Sequence, residues 1–344
     1  MLAQLEKGIK LQDERNYTLA AKEYQIFRGQ VGHAKWGKAW YNFGTCLRQS
    51  GDPVRAIAVW NEVWSRSQLF TNTLCGVESR LASGDAYLED AADADQAMAC
   101  YNDVLKARPQ SASDAKFELN LAVCLLALGR SDEARAIFLK LRELAKGDKF
   151  KEFYWDGMIA LCDGTPFQLI KTTVALDRKS RTRMLLGDVF FASGESAKAL
   201  KQYRSATWNA SDPEVLAYCD MQGARCIADM GDANTALKEY DKLVSKYPKA
   251  SVADDCLLRA GVLWAGPKGN LKEAAKCFAR IVRDYPDSDT AEAAFIYLAT
   301  TAWWSKQWDE AERLHKVFLE KYPKSPFCET VLNSRLPAIA KKSL

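Results

Sequence analysis

Histidine is nearly absent from this 344-residue chain, which has only His33 and His315. Two imidazoles cannot build a multi-histidine metal site, nor the HExxH helix in which two histidines one turn apart hold zinc. The ten cysteines include no CxxC pair, the spacing used by zinc ribbons and thiol redox centres. There is no GxSxG. The one glycine-rich stretch, AGPKGN (265–270), follows no strand and lacks the lysine and hydroxyl that end a phosphate loop, so it is expected to be a lengthened turn between helices. No apolar run approaches the ~18 residues of a membrane span. Ten prolines and nineteen glycines are too few for a collagen-like or disordered chain. Charge of one sign is also scarce. Forty-eight basic residues against 44 acidic leave +4, with no concentrated basic face, so nucleic acid is not an expected partner. No alternating strand pattern occurs. These absences nominate no catalytic, cofactor-binding or metal-ligating residue, and the chain reads as a non-enzyme without cofactors.

What is present is a repeat, and self-similarity outranks local structure as a signal. GDANTALKEYDKLVSKYP (231–248), GNLKEAAKCFARIVRDYP (269–286) and KQWDEAERLHKVFLEKYP (306–323) share Ala at the sixth place and Tyr-Pro at the end. Anchored on Ala followed four residues later by an aromatic, the register extends through Ala20/Tyr24, Ala56/Trp60, Ala97/Tyr101, Ala134/Phe138, Ala199/Tyr203, Ala236/Tyr240 and Ala274/Phe278, with Ala311/His315 as an eighth. Most anchors lie 36–41 residues apart. The gap of 65 between Ala134 and Ala199 leaves room for a degenerate anchor near Phe167, making about nine units.

Two punctuation marks keep the same register. Gly stands five residues before the anchor at 51, 129, 194, 231 and 269, where a left-handed residue can end one helix and turn into the next. Pro stands twelve after it at 109, 248, 286 and 323, where it stops the second helix. Small Ala lets two helices approach, and the aromatic one turn on fills the space beside it. Upstream of each turn lies another helical pattern, such as WGKAWYNFGTCLRQ (36–49) or AKFELNLAVCLLAL (115–128). Most cysteines fall inside such apolar helical runs and are expected to be buried, reduced thiols. His315 replaces the aromatic of its unit and is expected to pack in a helix pair. Asp254 and Asp255 read as caps or a solvated face.

Residues 36–64, with Trp40, Gly44, Gly51, Ala56 and Trp60, carry the full pattern, and Gly8 and Gly187 also fall twelve before their anchors. This spacing resembles the tetratricopeptide repeat (TPR). The resemblance covers nearly the whole chain and is weakest over 65–95 and 146–180. It implies an all-α fold, a right-handed superhelical solenoid of about nine helix-turn-helix units. One solenoid would then span 1–344, with N-terminal repeats over 1–145, a degenerate repeat at 146–180, C-terminal repeats over 181–326, and a capping helix up to Pro337 within 327–344. Stacking agrees with elementary physics, because one helix pair cannot bury its apolar face alone. The YPKAS, YPDSD and YPKSP endings are further similar to bacterial TPR proteins of envelope assembly, although the chain shows neither a lipoprotein signal nor an N-terminal coiled coil.

The family implies that a protein or peptide partner lies along the first helices. Its groove positions carry over to Lys38, Tyr41, Thr45 and Arg48; to Lys116, Leu119, Val123 and Leu126; to Arg181, Met184, Asp188 and Phe191; to Tyr218, Met221, Arg225 and Ala228; and to Ala293, Ile296, Thr300 and Trp303. The Hsp70/Hsp90-type carboxylate clamp is not reproduced, since Leu5 and Ile9 occupy the places of its Lys and Asn. Neighbouring Trp303 and Trp304 cannot both face one direction on a helix, so one of them is expected to be exposed or to meet a partner. The chief partner-binding candidates are therefore Lys38, Tyr41, Arg48, Arg181, Asp188, Tyr218, Arg225, Trp303 and Trp304. The expected function is a non-catalytic interaction scaffold. The alternatives are a component of a bacterial envelope-assembly complex or a regulatory segment of a multidomain enzyme, either making the chain a complex subunit. The start MLAQLEKGIKLQDERN lacks a signal-peptide layout, which suggests a cytoplasmic protein, or a periplasmic one should a signal precede it.

Overall fold

The computed structural model describes residues 2–27, 36–67, 73–162, 177–208 and 210–341. All regular structure among them is helical, in consecutive antiparallel pairs: α1 (Leu2–Asp13) with α2 (Tyr17–Phe27), α3 (Trp36–Gln49) with α4 (Pro53–Ser67), α5 (Thr73–Glu89) with α6 (Ala94–Ala107), and α7 (Ala115–Ala127) with α8 (Ser131–Leu144). After α9 (Lys149–Cys162) come α10 (Arg178–Ala192) with α11 (Ser196–Ala206), α12 (Pro213–Asp229) with α13 (Ala233–Lys246), α14 (Ala253–Ala265) with α15 (Leu271–Asp284), and α16 (Ala291–Trp304) with α17 (Trp308–Lys321). His33 and the anchor near Phe167 lie outside the described residues. The chain divides into two compact units, an N-terminal one of residues 1–168 and 176–186 and a C-terminal one of 169–175 and 187–344.

All eight anchor alanines are fully buried, and so are the aromatics, or His315, four residues on. The small residue of the first helix sits directly under that ring. A Cβ built on Gly44 would stand 2.4 Å from the Trp60 indole nitrogen, and one on Gly261 2.4 Å from the Phe278 ring. Each anchor aromatic removed from water contributes about 2–3 kcal/mol, and only glycine or alanine at this place lets the helices close over it. In the N-terminal unit, Leu5, Tyr24, Phe27, Trp40, Phe43, Trp60 and Val63 join into one core.

The residue five before each anchor is left-handed in all eight pairs. Glycine fills the place at 51, 129, 194, 231 and 269, while Arg15, Ala92 and Lys306 hold φ of 59°, 52° and 59° there. The next residue is often a cap: Asp93, Asp232 and Asn270 each accept the N–H three residues on. AGPKGN is such a turn, joining α14 to α15. At the other end, Arg108, Tyr247, Tyr285 and Tyr322 leave the helical region (φ −145° to −126°) just before proline, as the steric demand of the following ring requires.

The Tyr-Pro-x-x-Ser endings tie successive pairs together. The Tyr285 hydroxyl donates to the Pro248 carbonyl at 2.7 Å, and the Ser251 N–H and hydroxyl donate to Glu214 at 2.9 and 2.7 Å. Asp254 is neither cap nor solvated. It is buried and accepts the Thr290 hydroxyl at 2.7 Å, linking α14 to the entry of α16. The last pair is closed by Cys328–Ala340, whose Val331 and Ile339 are buried against α16 and α17. Helix was expected to stop at Pro337 but continues to Ala340. A π-helical turn over Val331–Arg335 restarts the α-helix at Leu336, so proline falls in a first turn, where its missing N–H is not needed.

Candidate functional site

Each junction between successive pairs brings three positions together: the residue just after the small residue of one first helix, the anchor aromatic behind it, and the residue two before the small residue of the next first helix. At the first junction, Asn42 donates to the Tyr24 hydroxyl at 3.3 Å. Between α5/α6 and α7, Asp85 follows Gly84 and accepts the Tyr101 hydroxyl (2.9 Å), the Asn120 amide (3.0 Å) and the Lys116 ammonium (3.2 Å). The Asp85 charge raises the Lys116 pKa. Between α10/α11 and α12, Asp188 follows Gly187 and accepts the Tyr203 and Tyr218 hydroxyls at 2.7 and 2.8 Å, while Gln222 donates to Tyr218. Burial pushes the Asp188 carboxyl up to about 6, although both tyrosine hydrogen bonds pull it down. Between α14/α15 and α16 the junction is apolar, with the Phe278 and Tyr297 rings 5.5 Å apart.

The sequence candidates fall into distinct environments. Lys38 and Arg181 are exposed, and neither side chain makes a hydrogen bond or ion pair among the described residues. Tyr41 is half-buried, its ring beside Trp60 and its carbonyl accepting the Trp60 indole N–H at 3.1 Å. Arg48 is already occupied. It forks onto Glu89 and Asp90, both at 2.7 Å, and although burial disfavours its charge these carboxylates raise its pKa overall. Tyr218 requires correction as a contact residue, because it is buried and spends its hydroxyl on Asp188. Val123, Leu126, Met184, Met221 and Ile296 are buried as well, since the neighbouring first helix covers that side of the stripe. Trp303 is half-buried under the Arg335 guanidinium, 4.4 Å above its ring, while Trp304 is 52% exposed. The adjacent pair does split, one towards the C-terminal segment and one into solvent.

Sequence reasoning missed Asp85 and Arg259. The signal lay in Gly-Asp recurring at 84–85 and 187–188, and in the polar residue two before the small residue in four units: Asn42, Asn120, Gln222, Arg259. A further cleft of about 690 Å³ opens between α13 and α15, over Tyr240, Leu257 and Ala260, with the Lys276–Glu273 ion pair at its edge. Among the described residues no group of three His, Cys, Asp or Glu side chains is placed to hold a metal, and no helix is long and apolar enough to cross a membrane.

A tetratricopeptide repeat model matches residues 88–150 and a second matches 218–250 and 255–288, the latter two windows each covering a helix pair described above. The chain is a tetratricopeptide repeat protein. The assignment rests on these matches together with the anchor packing. No curated protein matches it in sequence. Similar solved structures include a TPR protein from Parabacteroides merdae (14% identity, 87% of this chain and 97% of that one, TM-score 0.37). Others are a STAND-family ATPase with a TPR sensor from Pyrococcus horikoshii (16%, 98% and 49%, 0.39) and the TPR2AB domain of yeast Sti1 in complex with an Hsp90 peptide (15%, 87% and 97%, 0.31). As a TPR chain it has the architecture of a protein-interaction scaffold.

Proposed function

We propose that this TPR protein is a non-catalytic scaffold that receives a peptide or helical segment of a protein partner along its first helices, and that α16 supplies the anchoring contacts. One observation carries the reading. Tyr297 and Trp304 stand seven residues apart, on one face of α16, 40% and 52% exposed. Tyrosine and tryptophan are the residues that most often dominate interface energy, and two of them in line on an otherwise packed helix form a ready apolar stripe. The test is to capture partners from the native cell, identify them by mass spectrometry, and titrate the purified partner calorimetrically. Y297A/W304A protein should bind at least about 10-fold more weakly. Val54→Ala, an exposed residue on second helix α4, should bind like the wild type. Equal affinity for all three proteins would refute the reading.

A further inference from the structure

One tyrosine junction carries donors where Asp85 and Asp188 supply an acceptor at two others. At Asp85 and at Asp188 a carboxylate accepts the hydroxyl of the anchor tyrosine and a donor from the next first helix. Between α12/α13 and α14 the anchor is again a buried tyrosine, Tyr240. The residue after the small residue, here Ala224, is now Arg225, and the residue two before Gly261 is Arg259. The position that supplies the acceptor elsewhere has become a donor, and the facing position is a second donor.

The consequences are visible in the contacts. Tyr240 makes no side-chain hydrogen bond among the described residues. The Arg225 side chain makes no hydrogen bond or ion pair there, and its guanidinium lies 4.3 Å over the Phe191 ring. The Nε–H of half-buried Arg259 is buried without a partner. Burial first, and Arg259 second, lower the pKa of Arg225. The acids that feel these charges are Asp188, committed to two tyrosines, and Asp255, one turn before Arg259 on α14; the arginines favour ionisation of both against burial, but neither forms an ion pair with them among the described residues. Half-buried donors without an acceptor are costly, and two like charges add repulsion.

We propose that this junction is a receiving site for a side-chain carboxylate of a partner segment, which takes between Arg225, Tyr240 and Arg259 the place that Asp85 and Asp188 fill within the chain. Two planar guanidinium forks suit a carboxylate, and the chain itself uses carboxylates at the equivalent points. The inference rests on the reading of first-helix partner binding in the C-terminal unit.

The experiment uses the full chain and isolated probes: N-acetylglutamate N′-methylamide, its glutamine counterpart and inorganic phosphate. The arginine Nε–Hε resonances of Arg225 and Arg259, assigned through Arg225→Lys and Arg259→Lys, are followed by NMR. The glutamate probe should shift both resonances, saturating at roughly millimolar concentration, and the glutamine probe should shift neither. Arg225→Asp should fill the site internally, abolish the response of Arg259 to the probe and leave the protein at least as heat-stable as wild type. Unmoved resonances, or a response to phosphate but not glutamate, would overturn the proposal. So would an Arg225→Asp protein that folds and still responds. If Arg259→Gln binds the captured partner as tightly as wild type while Y297A/W304A does not, the carboxylate site fails and the scaffold reading survives. Loss of the Trp304 dependence alone removes the scaffold reading and leaves the probe titration to decide this one.

Discussion

Lys306→Gly should stabilise the protein, and Gly231→Ala should destabilise it by a similar amount. Both residues stand five before their anchors and both are left-handed, Lys306 at φ 59° and Gly231 at φ 91°. For an L-residue that conformation costs about 1–2 kcal/mol through the clash of Cβ with the backbone. Glycine avoids the clash but loses about 0.5–1 kcal/mol more backbone entropy on folding. The difference leaves a gain of ~0.5–1 kcal/mol for Lys306→Gly. No side-chain contact offsets it, because Lys306 is exposed and makes no ion pair among the described residues. For Gly231→Ala the new methyl meets nothing within 4 Å, so backbone strain alone sets a loss of the same size. Urea unfolding followed by far-UV circular dichroism should show the two midpoints moving apart, and urea-dependent hydrogen exchange of the α16 and α17 amides should report the last pair. A repeat array unfolds partly by local steps, so the exchange transition of these amides should move more than the dichroism for Lys306→Gly. Ala92→Gly is the internal control. Ala92 is left-handed too but buried, so the lost methyl cancels the relief and the midpoint should stay within about 0.5 kcal/mol of wild type. If Lys306→Gly lowers the midpoint, the left-handed turn is not what selects glycine at this position.

Two titrating groups make opposite predictions. Asp188 has its pKa raised to about 6 from 3.8, so the folded state holds the proton more tightly than the unfolded one and stability falls as pH rises from about 4 to 6; Asp188→Asn, which keeps the acceptor oxygen, should gain on the order of 2 kcal/mol over wild type at pH 8 and little at pH 4, as read by denaturant midpoints across pH. His315 is pushed below its usual 6.5, by burial first, with its Nδ1–H donated to the Ala311 carbonyl, its Nε2 buried without a partner, and the Arg335 charge opposing protonation; here stability is lost as pH falls below 6.5, and His315→Phe should flatten the acid limb of stability against pH, read by hydrogen exchange of the α16 and α17 amides.

The repeat was legible because its marks are single residues whose roles are local. Ala, an aromatic four on, Gly at the turn and Pro at the end each answer one steric demand, and the demand survives where the residue does not: Arg15, Ala92 and Lys306 take the glycine conformation because the helix pair on either side imposes it. The junction chemistry was illegible for a different reason. Asp85 and Asp188 occupy one structural position, but an extra residue in the turn carrying Ala92 shifts their count to the anchor by one, and the lengthened turn 266–270 does the same to Arg259. Counting back from the anchor blurs the position, whereas counting from the small residue under the ring recovers it. Tyr218 was misplaced because the counting identifies a stripe on one helix and cannot tell which part of it the next helix covers. Pro337 was misread because a π turn, which restarts the helix register, leaves no mark of its own in the residues.

The separation between packing marks and junction residues has a consequence for what the C-terminal unit can recognise. Its packing positions barely vary, yet its junctions differ in order along the chain: Asp188 already satisfied, Arg225 and Arg259 without an acceptor, then Val262, Phe278 and Tyr297 without any charge, and Trp304 beyond. Packed helices stand 8–10 Å apart and an extended chain advances about 3.3 Å per residue, so neighbouring junctions are about three residues apart for a segment crossing the helices. A partner that places a carboxylate against the two arginines therefore brings the residue about three positions on over Val262 and Tyr297, where an apolar side chain fits and a charged one would lose its water without gaining a partner. In the opposite direction the same step leads towards Asp188, whose acceptor is taken and whose carboxyl already resists ionisation, so a second acid there is disfavoured. With a carboxylate received at the two arginines as proposed, one acid followed by one apolar residue, in one polarity only, is the pattern that this order of junctions would select, and the selection would arise without any change to the residues that hold the helices together.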